Sequence, residues 1–273
     1  MNARDLERFY TSQAAEASER EWADAHSHLL RHLEEGRIRA AAPAEDGFWL
    51  VHPWIKQAIL LGFKRTSLAS FDGAGYPMFD KSAYPPRVLT TKDAVRMVPG
   101  GSAVRRGAHL GKGVVIMPPS YVSVGAFIDE YSTIDSHVLV GSCAQIGKHV
   151  MLAPGAQVGG VLDPPGGLPV IIEDDAFLGP LSGVFDGMHV KKRAVLAPGV
   201  VLTATSVLYD LVDGNTHQGL VPEGAVVIQG SIPASGPHAA TRGITMTVPL
   251  IAGYREPGAD AANALNRAYG VKK

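Results

Sequence analysis

From Val104 onward an aliphatic side chain returns at every sixth position. The series runs Val104, Leu110, Ile116, Val122, Ile128, Ile134, Val140, Ile146, Leu152, Val158 and resumes as Ile172, Leu178, Val184, Val190, Leu196, Leu202, Leu208. After a second break come Val221 and Val227. A period of six is no multiple of the helical repeat, and simple strand alternation would not single out every sixth residue. The residue after the anchor is often small: Gly111, Gly141, Gly147, Ala153, Gly159, Gly179, Ala197. A short strand followed by a tight corner, repeated, satisfies both facts. Three such hexads close a triangular coil of about 18 residues, with anchors inward and coils stacked about 4.8 Å apart. The expected fold is therefore mainly β, a parallel β-helix. Insertions near Pro164 to Val170 and Asp213 to Leu220 break the phase.

The flanks read differently. Leu29, Leu30 and Leu33 form a helical stripe within Ala14 to Glu35, ended by Gly36. Phe48 to Val51 suits a short strand, and Pro53 to Phe63 a second helix with Trp54, Ala58 and Leu61 on one face. Gly73 to Pro86 is rich in turn residues and is expected to be loop. Gly243 to Tyr254 reads as a strand and Ala259 to Tyr269 as a terminal helix. The expected division is an α-helical N-terminal domain over residues 1–100, the β-helix over 101–230, and a C-terminal strand and helix cap over 231–273. Such flanks can close the open coil ends, which repeat folds require.

Composition narrows the function classes. The 25 Lys and Arg nearly balance 26 Asp and Glu, so no global basic field argues for nucleic acid or an anionic membrane. The single cysteine, Cys143, excludes an intramolecular disulfide framework and a multi-cysteine zinc site. No apolar run approaches the roughly 18 residues needed to span a bilayer. Met1 to Arg20 lacks the apolar stretch of a signal peptide, so a cytoplasmic location is expected.

Several motifs resemble one family. Val140–Lys148 (VGSCAQIGK), Gly159–Pro164 (GGVLDP), Met117–Val122 (MPPSYV), Val124–Asp129 (VGAFID) and Trp54–Leu61 (WIKQAILL) are similar to the tetrahydrodipicolinate N-succinyltransferases. The resemblance implies left-handed coils and a homotrimer with active sites in grooves between subunits. It also implies succinyl transfer from succinyl-CoA to a tetrahydrodipicolinate-derived amino dicarboxylate in lysine and diaminopimelate synthesis. By that resemblance Asp135 matches the active-site aspartate, and Arg96 an arginine on the substrate carboxylate. Ser142, Gly159 and Gly160 match positions lining the substrate and pantetheine groove. Phe177–Gly183 (FLGPLSG) departs: Gly183 stands where the family has a catalytic glutamate, and Leu181 where it has an arginine. His137 stands where the family has a tryptophan. These changes point to a diverged paralogue in a specialised pathway, tabtoxin biosynthesis being one, with acetyl-CoA as an alternative donor.

Each candidate has a plainer role to set beside the chemical one. Acyl transfer to an amine needs a neutral amine, a positioned thioester and a stabilised oxyanion. Asp135 can orient the amine or take its proton; corner aspartates also bond their own turn. His137, with an ordinary pKa near 6.5, can supply acid–base capacity or simply sit in a solvated turn. Arg96 suits bidentate binding of a carboxylate, or is a surface arginine. Lys191, in Lys191–Arg193, and Arg242 can meet the CoA phosphates or remain exposed cations. Gly159 and Gly160 allow close approach of a pantetheine arm, or mark a corner before the insertion. Cys143 reads as a small buried hydrophobe, and Asp186 matches a different family position from the absent glutamate. No metal is expected, since His109, His137, His149 and His189 share no spacing suited to a three-histidine site. The alternative of another class is a non-catalytic hexapeptide-repeat binding or scaffold protein.

Overall fold

The computed structural model describes residues 1–45, 47–73 and 76–270. Each hexad ends in a two-residue strand whose second residue is the anchor, as in Phe127–Ile128 and Gln145–Ile146. Strands 18 residues apart pair in parallel, Ile128 with Ile146 and Ile134 with Leu152. This gives a coil with three faces. The first carries Arg96–Met97, Val115–Ile116, Thr133–Ile134, Met151–Leu152, Phe177–Leu178 and Val195–Leu196. The second runs from Ala103–Val104 through Tyr121–Val122, Leu139–Val140, Gln157–Val158 and Gly183–Val184 to Val201–Leu202. The third runs from His109–Leu110 through Phe127–Ile128, Gln145–Ile146, Ile171–Ile172 and His189–Val190 to Leu220–Val221. Every anchor of the periodic series is buried, at most 5% exposed, in one continuous core.

The corners explain the small residue after the anchor. A Cβ on Gly141 would lie 2.2 Å from the Gly160 nitrogen, and one on Gly111 would lie 2.6 Å from that of Glu130. The backbone of the next coil occupies that space. The third residue after the anchor turns through the left-handed region, often without glycine: His137 (φ 63°), Cys143 (66°), His149 (54°), Leu181 (58°). Stacking against neighbouring coils must offset the roughly 1–2 kcal/mol this conformation costs an L-residue. The insertion after Gly159 leaves by a corner, so the ladder continues unbroken: Ile146 pairs with Ile172 and Val158 with Val184.

Three helices build the N-terminal region. The sequence gives no clear sign of α1 (Ala3–Ser12), whose Leu6, Phe9 and Tyr10 are buried among charged neighbours. The helix α2 (Glu19–Glu34) starts later than the stripe suggests, because Ser18 and Glu21 form a reciprocal cap. Proline opens α3 (Pro53–Arg65), where it loses no hydrogen bond. The expected strand is Trp49–Val51, paired antiparallel with Ala41–Pro43.

The expected loop over Gly73 to Pro86 is corrected. Tyr76–Lys81 is a strand, antiparallel to Leu68–Gly73, with Phe71 opposite Met78 and Ser70 opposite Phe79. Aromatic and apolar cross-strand partners outweigh the turn-forming neighbours, and Pro77 is tolerated because a two-stranded sheet has only edges. Residues 74 and 75 of that expected loop lie outside the described residues.

At the other end Ala225–Pro233 and Thr245–Tyr254 form a long antiparallel ribbon. A short helix not expected from the sequence, α4 (Pro237–Arg242), joins its strands. The last helix, α5 (Ala261–Ala268), packs Ala264 on Val195 and Val226 and so covers the upper first face.

The helical region clamps the third face. The Arg39 guanidinium lies 3.7 Å from the Phe127 ring centroid and its Nε donates to Gln145 Oε1 at 2.8 Å. Burial lowers the Arg39 pKa to about 10, against the pull of Asp129 and Asp174. Trp49 Nε1 donates to Glu173 Oε1, which also meets His189 Nε2 at 2.7 Å. Val124 and Cys143, from the corner between the second and third faces, join the core of the helical region. The second face is left less covered, with Tyr121 37% and Val201 53% exposed. Among the described residues no helix is long and apolar enough to cross a membrane.

Candidate functional site

The corner between the first and second faces carries Asp135 and His137. Asp135 follows the anchor Ile134 and is half-buried. Its Oδ1 accepts the Ser136 amide at 2.7 Å, and its carbonyl accepts Ser120 Oγ at 2.6 Å. The carboxylate thus does cap its own turn. Among the described residues Oδ2 accepts nothing and remains available to a ligand. His137 is exposed in the left-handed corner position. Its amide donates to Pro119, and its carbonyl accepts Gln157 Nε2 at 3.0 Å.

Arg96 lies on the same face. Its strand pairs with Val115–Ile116, which pairs with Thr133–Ile134, so Arg96, Val115 and Thr133 form one column. Arg96 is therefore two rungs from Thr133, about 10 Å, and Asp135 lies just beyond. Arg96 is exposed and has no ion pair among the described residues. One exposed cation on the first face and one carboxylate at the edge of that face thus lie two rungs apart.

Ser142, Gly159 and Gly160 lie together at the next corner, between the second and third faces. Ser142 Oγ is 2.7 Å from Ser123 Oγ. A Cβ on Gly160 would lie 2.3 Å from the Ser142 nitrogen, and one on Gly159 would lie 2.7 Å from Phe185 Cδ1. Packing within the chain therefore already requires glycine at both positions. Lys191 is on the corner between the third and first faces, and Arg242 is exposed on α4. Within one chain the candidates are spread over three corners and the ribbon. The neighbouring Arg193 is used structurally, donating to the carbonyls of Arg255 and Glu256.

One residue without any periodic signal reshapes the outer second face. A Cβ on Gly183 would lie 2.6 Å from Phe185 Cε2 and 3.5 Å from Val201 Cγ1. The Phe185 ring therefore occupies the space into which a side chain at 183 would project. Leu181, 74% exposed, leans over Gly155 one coil below. Leu181, Phe185 and Val201 make this stretch apolar.

Other titratable groups are committed elsewhere. Cys143 is fully buried and burial pushes its thiol up to about 12, so it is no thiolate nucleophile at neutral pH. His109 and His189 face outward on the third face, four strands apart, while His137 and His149 occupy different corners. Asp210, Asp213 and His217 are the described residues whose ligand atoms lie close enough to hold a cation. Burial would raise the Asp210 carboxyl, but hydrogen bonds from Tyr254 Oη and the Val212 and Asp213 amides outweigh it and hold it low.

Comparison with known proteins agrees with this architecture. A model described as Tetrahydrodipicolinate N-succinyltransferase N-terminal matches residues 5–64, and one described as Hexapeptide repeat of succinyl-transferase matches residues 169–204. A 2,3,4,5-tetrahydropyridine-2,6-dicarboxylate N-succinyltransferase of Nitrobacter hamburgensis is 40% identical over 230 residues, 80% of this chain and 79% of that relative. The enzyme of the same name from Rhodopseudomonas palustris is 42% identical over 223 residues, again 80% and 79%. A solved structure from Campylobacter jejuni, assigned as a 2,3,4,5-tetrahydropyridine-2-carboxylate N-succinyltransferase, superposes with a TM-score of 0.54 at 16% identity. It covers 84% of this chain, which spans 62% of that one, and it supports the fold alone. At such identity over four-fifths of its length, the chain belongs to the tetrahydrodipicolinate N-succinyltransferase family.

Proposed function

We propose that the protein is a CoA-dependent N-acyltransferase acting on the amine of a tetrahydrodipicolinate-derived amino dicarboxylate. The observation that carries this reading, beside family membership, is that Arg96 on the first face and Asp135 at the edge of that face lie two rungs apart on the coil. Arg96 binds a substrate carboxylate through its planar fork of donors. Asp135 Oδ2 accepts a hydrogen bond from the acceptor amine and takes its proton as the nitrogen attacks the thioester carbonyl. Backbone amides facing the groove stabilise the oxyanion, and CoA leaves as thiol. His137 is the nearby group able to carry a proton onward. The acyl-CoA arm runs by Ser142, Gly159 and Gly160, with Lys191 and Arg242 toward its phosphates.

These groups occupy different corners of one chain, so the reading requires a second subunit to join them. A homotrimer of left-handed coils does so by packing the bare second face of one subunit beside the first face of its neighbour. The exposed Leu181 and Val201 support such packing. The non-catalytic scaffold reading is not favoured, because the relatives are enzymes across most of this chain. The cytoplasm is the expected location.

A second reading concerns which acyl group and acceptor are used. The names of the relatives support succinyl transfer in lysine and diaminopimelate synthesis, while Phe185 over Gly183, where no glutamate stands, is the observation behind the alternative of a specialised pathway such as tabtoxin biosynthesis. Losing a general acid–base group commonly costs about 10²–10⁴-fold in rate. The test is CoA release with succinyl-CoA or acetyl-CoA, each offered with tetrahydrodipicolinate and with L-2-aminopimelate, and products identified by mass. Fast succinylation supports the lysine pathway. Selective acetylation, or CoA binding without turnover, supports the specialised one. Absence of both binding and turnover overturns the transferase.

A further inference from the structure

Lys56 is fully buried in α3, an unusual place for an ammonium group. Its Nζ donates to the carbonyl of Gly167, in the insertion that leaves the coil after Gly159. No carboxylate pairs with it among the described residues, and burial lowers its pKa. Burying an unpaired cation costs free energy unless hydrogen bonds are gained in return. The stretch from Gly160 to Pro169 makes little else: among the described residues its one hydrogen bond besides the lysine contact is Gly167 N–H to the Pro164 carbonyl at 3.0 Å. A crevice of about 410 Å³ separates part of it from the helices, lined by Asp163 and Pro165 on one side and Tyr10, Gln57 and Lys64 on the other. The near end of the same loop presses on Ser142, and the Leu168 carbonyl lies against Gly187.

We infer that Lys56 is a positioning residue, whose buried ammonium holds the insertion loop in the shape that walls the acyl-CoA groove beside Ser142. The groove itself rests on the function proposed above. Lys56 touches no reacting atom; it acts through the Gly167 carbonyl, tying the helical region to the coil where the donor is expected to lie.

Two variants test this. Lys56→Met keeps the volume and removes the donor, whereas Lys56→Gln keeps an N–H. Hydrogen exchange of the Gly167 amide, the hydrogen-bonded N–H of this loop, should quicken by about tenfold or more in Lys56→Met and less in Lys56→Gln, with far-UV circular dichroism unchanged. The KM for acyl-CoA should rise about tenfold in Lys56→Met while kcat changes less than about threefold. Unchanged loop exchange in Lys56→Met overturns the inference, as does a loss confined to kcat. If Lys56→Met does not fold, Lys56→Gln alone decides, by the same two readouts. Wild-type protein that neither binds nor turns over acyl-CoA would refute the proposed function, while loop exchange still reports on the lysine anchor.

Discussion

The coil and the helical region bury different kinds of side chain. Between Ala103 and Leu202 the buried polar groups are Ser120, Ser132, Gln145 and Ser182, none of which titrates, and the buried carboxylate of Asp210 comes only after the last complete hexad. The helical region buries His26, His32 and Lys56. A repeating core can meet one demand the same way in successive turns, as Ser120 and Ser132 do by donating to the carbonyls of Asp135 and Gly147 and receiving the amides of Val138 and Val150, whereas Ser182 Oγ has no partner among the described residues. The helical core has no repeat to copy and solves each contact once. The lesson is that stability in the coil is distributed over repeated contacts, whereas in the helical region it hangs on single groups.

The largest effect should come from breaking the repeat. Ile146→Ala and Ile134→Ala, both fully buried anchors, should each cost about 2–5 kcal/mol in urea unfolding. If coils are equivalent, the two costs should agree to within about 1 kcal/mol; a wider gap would break that equivalence. Next comes acid. Burial depresses the His26 pKa from 6.5 to about 4. The folded state thus favours the neutral ring, so its contribution is full above about pH 6.5 and is lost as pH falls toward 4. The loss approaches roughly 3 kcal/mol. Hydrogen exchange at pH 7 and pH 4.5 should show the helical region loosening first, and His26→Leu should flatten that dependence.

A smaller effect tests the outer second face. Gly183→Glu should cost about 1–3 kcal/mol by driving a side chain into Phe185. Adding Phe185→Ala should recover part of it, and a double-mutant cycle gives the coupling. The same pair sharpens the functional question, since a rise in succinyl transfer in the double variant would show that the ring excludes a useful carboxylate. The smallest effect is expected at Gly166, where an added Cβ meets nothing within 4 Å. Gly166→Ala should shift the thermal midpoint by the equivalent of about 0.5 kcal/mol or less.

This contrast also explains what could be read in advance. The anchors were legible because burial recurs with a fixed period, and the small residues after them because each meets the same backbone. The helix α1 was not, because its three buried residues stand among charges and owe their burial to α2 and α3. Asp135 and Arg96 were legible as candidates by family resemblance, but their placement two rungs apart along one face follows only from strand pairing. Phe185 lay outside the period altogether. Which face stays bare depends on Arg39 and Trp49, contacts made across more than a hundred residues of chain.

The insertion that leaves the ladder intact has a consequence for descent. Because Val158 finds Val184 regardless of what lies between, a corner can gain or lose residues without asking any other coil to adjust. Each corner is a place where length can drift unselected until a longer excursion happens to meet something worth keeping. Kinship in such a lineage is written in the rungs, and novelty accumulates at the bends.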